Sequence, residues 1–311
     1  MSITAGRPSK EEFEEIVVIK KLADPAFAEK DWFVTQVIRT INQVEFEGFH
    51  IAFSGGTALA KAYHQIERFS EDIDFVVEGK DDLNERERSS YKRGLIEKLR
   101  QDGLSIQDQQ VKTSDKSRYF VIEMDYETYF DRPSNLRPHI KIEFVMKKPR
   151  MPLSIRSVAS FFTEISGRVP EVEKIGCVQP VEIAADKLSA LTWRVNERNR
   201  GSANDDPSIV RHLHDLAKLK ELIIVSPDFS AMAKDSIKND ELRSRDPAFN
   251  EKSLIEKLNI MITKFKQDEL YQDEYNRFVG AMSYALSDDQ IPNFNTALSA
   301  LEELIGKVTS F

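Results

Sequence analysis

The sequence predicts an α+β protein: a mixed α/β front half built on a small mixed sheet, then an α-helical back half. Three observations predict it. Ile73–Val77 and Ile140–Met146 show strand-like patterning, with apolar and polar residues alternating in the second. The apolar run Ile51-Ala52-Phe53 stops at Ser54-Gly55-Gly56, and helical spacing resumes at Thr57, the signature of strand, tight turn and helix. Beyond residues 150–170 the pattern becomes helical. At roughly 100–200 residues per domain, 311 residues imply two domains, or one domain with a long appendage. Pro149, Pro152 and the polar stretch beyond place the boundary near residues 150–170, giving 1–160 and 161–311 as the expected domains.

Each element has a local reason. Ser9-Lys10-Glu11-Glu12 is a capping-box pattern opening a helix that runs to Leu22. Asp24-Pro25 breaks it. Trp32, Phe33, Val37, Ile38 and Ile41 then follow helical spacing within Glu29–Gln43. After the glycine turn, a helix is expected from Thr57 to Ile66. A charged helix over Asp81–Gln101 carries Leu83, Leu95, Ile96 and Leu99, and Tyr119–Tyr126 reads as a further strand. In the back half, helices are expected over Val181–Glu197, from the Asp206-Pro207 start to about Leu222, and near Glu251–Phe265, Tyr271–Leu286 and Phe294–Val308.

Composition excludes several classes. Nineteen Phe, eight Tyr and two Trp supply core material that a disordered chain lacks. A single cysteine, Cys177, rules out a disulfide scaffold. No apolar run approaches the ~18–20 residues of a membrane span, and Met1–Phe13 has no apolar signal core, so no membrane association and a cytoplasmic protein are expected. A net charge of −8 argues against a general nucleic-acid coat, while leaving room for a local basic site.

The residues that could carry chemistry begin with Gly55-Gly56-Thr57. Such a turn leaves backbone N–H groups free at the positive end of a helix, a phosphate cradle that glycine lets a ligand approach. It is also an ordinary tight turn. Asp72 and Asp74 stand two apart on a strand, so both carboxylates share a face, with Ile73 and Phe75 toward the core. Oxygen ligands so placed suit Mg²⁺; solvated strand faces carry such pairs too. Glu143 projects from the polar face of Ile140–Met146. If that strand pairs beside Ile73–Val77, three carboxylates converge and could hold two Mg²⁺ and a triphosphate. Lys187 and Arg194 share a helix face and could reach phosphates. Arg211 and Asp215 are an i,i+4 pair with the spacing of a helix salt bridge; Asp215 could instead orient Lys187 or act as a base. Arg137, Lys141, Lys147, Lys148, Arg150 and Arg156 form a local basic stretch, either a solvated edge or a docking path for an RNA acceptor.

Phe53-Ser54-Gly55-Gly56-Thr57-Ala58-Leu59 followed by Arg68-Phe69-Ser70-Glu71-Asp72-Ile73-Asp74-Phe75 resembles the AbiEii/AbiGii toxin family of the DNA polymerase β-like nucleotidyltransferases. Glu29–Thr35 resembles a helix the family carries upstream. Lys141-Ile142-Glu143 resembles its third-carboxylate strand, Pro180–Leu191 its lysine-bearing helix, and Arg211–Leu216 its Asp-Leu helix. The second position of that last motif, often acidic in the family, is His212 here. The resemblance implies a nucleotidyltransferase domain and a helical domain. It also implies Mg²⁺-dependent transfer from an NTP to an RNA acceptor, a tRNA by preference, or to a protein. The site would comprise Asp72, Asp74 and Glu143 as metal ligands and Gly55, Gly56, Thr57, Lys187 and Arg194 toward the nucleotide, with Lys187 and Asp215 also in catalysis. The chain would be the toxin of a type IV toxin–antitoxin or phage-exclusion system, with an AbiEi-like antitoxin encoded nearby. Two other classes use the same residues: an antibiotic-type small-molecule nucleotidyltransferase, and a nucleotide-binding regulator without turnover.

Overall fold

The computed structural model describes residues 4–203, 205–241, 247–284 and 290–310. The chain divides into two compact units, Met1–Val178 and Gln179–Phe311. Residues 161–178, expected to open the helical half, instead supply a helix and a strand to the first unit.

In the first unit, α1 (Lys10–Lys20) starts at the expected capping box, with Ser9 and Glu12 bonding each other's backbone. Helix α2 (Pro25–Asn42) begins earlier than its apolar spacing suggests, because Asp24 caps it and Pro25 takes its first position. Strand β1 (His50–Ser54) leads through Gly55 into α3 (Gly55–Lys61). That helix ends before the expected Ile66: the chain passes Tyr63 into a left-handed backbone at His64 (φ 51°). Strand β2 (Asp72–Glu78) follows, then α4 (Glu85–Gln101), which starts late because the Asn84–Glu87 capping box sets its N-terminus. Strands β3 (Val111–Ser114), β4 (Tyr119–Met124), β5 (Ile140–Met146) and β6 (Ser154–Val158), helix α5 (Phe161–Ser166) and β7 (Val172–Cys177) complete the unit.

The sheet is mixed, in the order β3-β4-β5-β2-β1-β7-β6. β2 runs antiparallel to β1 and parallel to β5, so both neighbours are in direct register with its carboxylates. The register explains the two-residue alternation. Phe53, Phe75, Phe144 and Phe120 lie abreast on four adjacent strands. Their rings follow one another at 5.7, 5.6 and 4.7 Å, filling the core against one sheet face. One residue along, Ser54, Asp74, Glu143 and Val121 form the matching row on the opposite face.

Buried ion pairs fix α2 to the sheet. Glu29, Lys30 and Asp31 are all buried, and pair with Arg7, Glu71 and Lys61 respectively. The second oxygen of Asp31 accepts the Phe161 N–H at 2.7 Å. The charged triplet inside an otherwise apolar helix is therefore a set of anchors for α3, α5 and the approach to β2.

The second unit is helical: α6 (Pro180–Glu197), α7 (Val210–Ile224), α8 (Phe229–Asp240), α9 (Pro247–Asn250), α10 (Leu254–Gln267), α11 (Leu270–Met282) and α12 (Phe294–Thr309). Asp206 caps a single 3₁₀ turn at Pro207–Ile209 rather than α7 itself. The expected end of the Tyr271–Leu286 helix lies outside the described residues. Helix α8 was not legible as a separate element, although Phe229, Met232, Ala233, Ser236 and Ile237 form its buried stripe. Arg198 makes a two-pronged ion pair with Glu274 at 2.6 and 2.7 Å and a third bond to Asp205 at 2.7 Å. Burial opposes the Arg198 charge, yet these bonds hold its pKa above the usual guanidinium value. Among the described residues no helix is long and apolar enough to cross a membrane.

Candidate functional site

The turn after β1 and the polar face of β2 are built against each other. Gly55 sits in the left-handed region (φ 74°), and a Cβ placed on it would fall 1.8 Å from Asp74 Oδ2 and 2.8 Å from Asp74 Cβ. No side chain fits there, whatever its conformation. Gly56 is buried in the first turn of α3. Thr57, expected to face a nucleotide, is turned inward instead: it is buried, and its hydroxyl contacts Ser70 Oγ at 3.0 Å and donates to the Asp72 carbonyl. Its side chain staples α3 to the start of β2.

The register places Glu143 of β5 directly beside Asp74, and Lys141 beside Asp72. Glu143 is already engaged: Tyr119 donates to Oε2 at 2.6 Å, and Lys141 pairs with Oε1. Burial first, then the charges of Glu143, Asp74 and Asp72, hold the Tyr119 phenol far above its usual range, so it stays protonated and a donor. Asp72 Oδ1 is a buried oxygen without a hydrogen bond; the Arg137 guanidinium faces it at 3.3 Å. Among the described residues, no three His, Cys, Asp or Glu side chains are grouped to hold a metal ion. The set that does fit a hard cation is the Asp72–Asp74 pair: oxygen donors on one strand face, one of them a buried orphan.

Sequence reasoning missed the support behind Asp72. Glu71 pairs with buried Lys30, and Lys30 also donates to the Arg137 carbonyl at 2.7 Å. The Arg137 N–H in turn donates to Glu71 Oε2 at 3.1 Å. The signal for Lys30 lay in the charged triplet Glu29-Lys30-Asp31 set beside Trp32 and Phe33, which pattern as core; Glu71, between Ser70 and Asp72, carried none.

Further along the same sheet face is a cavity of about 330 Å³, lined by Lys112, Thr113, Ser114, Tyr119, Val121, Glu123 and Lys141. It begins where Tyr119 and Lys141 meet Glu143.

Within the second unit, α6 and α7 bring the other expected residues together. Lys187 Nζ lies 2.7 Å from Asp215 Oδ2, both nearly excluded from solvent, and His214 Nδ1 lies 3.5 Å from the other Asp215 oxygen. Lys187 on α6 thus forms an ion pair with Asp215 on α7. The i,i+4 partner does not engage it: Arg211 turns to Asp206 at 3.4 Å, where Arg194 also points at 3.7 Å. Both ring nitrogens of His212 are buried without a hydrogen-bond partner. Burial, then the charges of Arg211, Lys187 and Arg194, drive its pKa well below the usual value. His212 is thus a neutral ring within a basic cluster.

Comparison with curated protein sequences finds no match. Among solved structures, the chain is similar to the nucleotidyltransferase toxin MenT4 from Mycobacterium tuberculosis, at 14% identity and a TM-score of 0.48, covering 96% of this chain and 99% of that one. It is also similar to a STING-associated CdnE c-di-GMP synthase from Capnocytophaga granulosa, at 10% identity and a TM-score of 0.28, covering 98% and 89%. At these distances no residue role transfers. The family described as "Nucleotidyl transferase AbiEii toxin, Type IV TA system" matches residues 39–300, most of the chain. With that match, the chain belongs to the AbiEii family of nucleotidyltransferase toxins.

Proposed function

We propose that this chain transfers a nucleotidyl group from an Mg²⁺-bound NTP to an RNA acceptor, as the cytoplasmic toxin of a type IV toxin–antitoxin pair. The observation that carries the proposal is the packing of the Gly55 turn directly on Asp74, with Asp72 on the same strand face. Asp72 and Asp74 would hold the metal, and Glu143, now paired with Lys141, would join them as a third ligand. Mg²⁺ bound there supplies neutralising charge for the triphosphate and the departing pyrophosphate.

The chain's own residues supply the rest. Gly55 and Gly56 leave the first N–H groups of α3 open to phosphate oxygens. Thr57 acts indirectly, by fixing the α3 terminus to β2. In-line displacement puts the attacking oxygen opposite the departing pyrophosphate. With the triphosphate at the β1 side of Asp74, the acceptor comes from the β5 side, where the cavity lined by Lys112, Ser114, Tyr119 and Lys141 offers hydroxyls and cations to a ribose-phosphate end. In the second unit, Lys187 and Arg194 are cations for phosphate, and Asp215 orients Lys187.

Incubating the protein with each labelled NTP, Mg²⁺ and a tRNA pool tests this. Label should enter RNA with wild type and be lost with Asp72→Ala or Asp74→Ala, whose melting temperatures should stay near wild type. Transfer by both variants at the wild-type rate would overturn the assignment. Label entering protein or a small antibiotic instead would replace the RNA acceptor. Nucleotide binding without any transfer would favour a regulator. A small winged-helix regulator encoded beside the toxin would support the antitoxin pairing.

A further inference from the structure

We infer that Arg137 binds the donor triphosphate, from a mount built by Lys30 and Glu71. This deepens the nucleotidyl-transfer reading and rests on it.

Three observations carry the inference. The first is the position of the guanidinium. It lies 3.3 Å from Asp72 Oδ1 and 3.5 Å from Glu71 Oε1, and its side chain is 36% exposed. It is thus open to a ligand on the side away from the protein. Asp72 Oδ1 has no hydrogen bond, so the contact is a charge facing a charge rather than a closed, aligned pair.

The second is how the backbone is held. The Arg137 carbonyl accepts from Lys30 Nζ at 2.7 Å, and its N–H donates to Glu71 Oε2 at 3.1 Å. Lys30 is fully buried on α2 and also pairs with Glu71. Both polar backbone atoms of one loop residue are therefore clamped by one buried ion pair. Such a pair is a weak source of stability compared with an apolar pair of similar volume, because desolvating two charges offsets most of their attraction. Burial does lower the Lys30 pKa, against the pull of Glu71. What this arrangement supplies is a fixed origin for the Arg137 side chain, held by Glu71, the residue that directly precedes Asp72 on the acidic strand face.

The third is charge and donor geometry. A cation taken up by Asp72 and Asp74 would compete with Arg137 for Asp72 Oδ1. The guanidinium has five donors in a planar fork and cannot lose its proton. Released from Asp72 but fixed at its backbone, it would meet the oxygens of the phosphates brought to the same strand face, which a two-pronged guanidinium contact suits. A role limited to neutralising Asp72 predicts the reverse: removing Arg137 would free the aspartate and tighten binding of Mg²⁺ with its nucleotide.

Calorimetric titration of the full chain with tripolyphosphate and with each of the four NTPs, in Mg²⁺ and again in EDTA, separates these. Tripolyphosphate removes the unknown base preference; EDTA removes the metal. For Arg137→Ala we expect binding at least ~10-fold weaker in Mg²⁺, and a further loss of whatever binding wild type shows in EDTA. Arg137→Lys, which keeps the charge without the fork, should fall between the two. Melting temperatures within a few degrees of wild type for both variants exclude misfolding as the cause; should Arg137→Ala melt early, Arg137→Lys alone decides. Arg137→Ala binding as tightly as wild type, or tighter in Mg²⁺, overturns the inference while leaving the nucleotidyl-transfer reading intact. Wild type that binds neither tripolyphosphate nor any NTP overturns that reading and the inference with it.

Discussion

Single residues decide the geometry at the Gly55 turn. Its positive φ alone costs a non-glycine residue on the order of 1–3 kcal/mol. The Asp74 carboxylate occupies the place of a Cβ, and even the Asp74 Cβ is only 2.8 Å from it. Gly55→Ala must therefore displace Asp74 as well as strain the turn. We expect a loss of about 2 kcal/mol or more in denaturant unfolding, together with loss of transfer activity. Gly167 serves as the control: it has a similar φ of 62°, with open space around its Cβ position. Gly167→Ala should show only the strain, with activity unchanged. Equal activity of Gly55→Ala and wild type would disconnect the turn from the chemistry. Cys177, by contrast, is legible as inert: burial pushes its thiol up to about 12, and no base adjoins it. The sequence shows Gly55-Gly56 as a turn, because glycine pairs are strong punctuation. It does not show that Thr57 faces inward, because a hydroxyl after two glycines is equally at home as a ligand or a staple.

At the scale of elements, the legible features were those with strict local signals. Strand β5 alternates from Ile140 to Val145 and β2 from Asp72 to Phe75, because one face of each is apolar core over that stretch. Strands β3 and β6 were missed because they are mostly exposed edge strands, and β7, which lies between β1 and β6, because its buried Val172, Ile175 and Cys177 do not keep a two-residue alternation. The helix pair α6–α7 shows the same limit in its charges. From spacing alone, Arg211–Asp215 is the expected bridge and Lys187→Ala should cost little stability. The structure instead buries Asp215 completely against Lys187. Lys187→Ala then removes the ammonium that faces a buried carboxylate, and breaking such a pair costs about 3–5 kcal/mol. A lost activity in this variant would not by itself show catalysis. Lys187→Met with Asp215→Leu removes both charges and should recover most of the melting temperature. If Lys187 acts on the phosphates, the double variant remains inactive at recovered stability. Transfer rates within about threefold of wild type in the double variant would reduce the pair to a structural ion pair.

The whole molecule carries a pH dependence that follows from His212, a half-buried histidine whose two ring nitrogens are both shut off from solvent. The chain has five His and a net charge of −8 with them neutral, so acidification charges groups that the fold has placed with neutral ones in mind. His212 faces Arg211, Lys187 and Arg194, with Asp215 the opposing charge, and its pKa is depressed, burial being the largest cause. His139 is also depressed by burial, against Glu123. A histidine whose folded pKa lies below its unfolded value near 6.5 binds more protons when unfolded between those two values. Stability from that group is complete above about pH 6.5 and falls as pH drops toward the folded pKa, by at most ~1.4 kcal/mol per pH unit per proton. Unfolding free energy should thus decline from pH 7.5 to 5.5. His212→Phe removes the titrating ring and two buried nitrogens without partners, so it should match or exceed wild type at pH 7.5 and lose part of the acid slope. The slope that remains belongs in part to His139, and His139→Asn in the same background should flatten it further. Denaturant titrations at half-unit pH intervals read both effects. An acid slope in His212→Phe as steep as that of wild type would show that the ring already takes up its proton in the folded chain, which would require an anion among Arg194, Arg211 and Lys187 to make its charge tolerable.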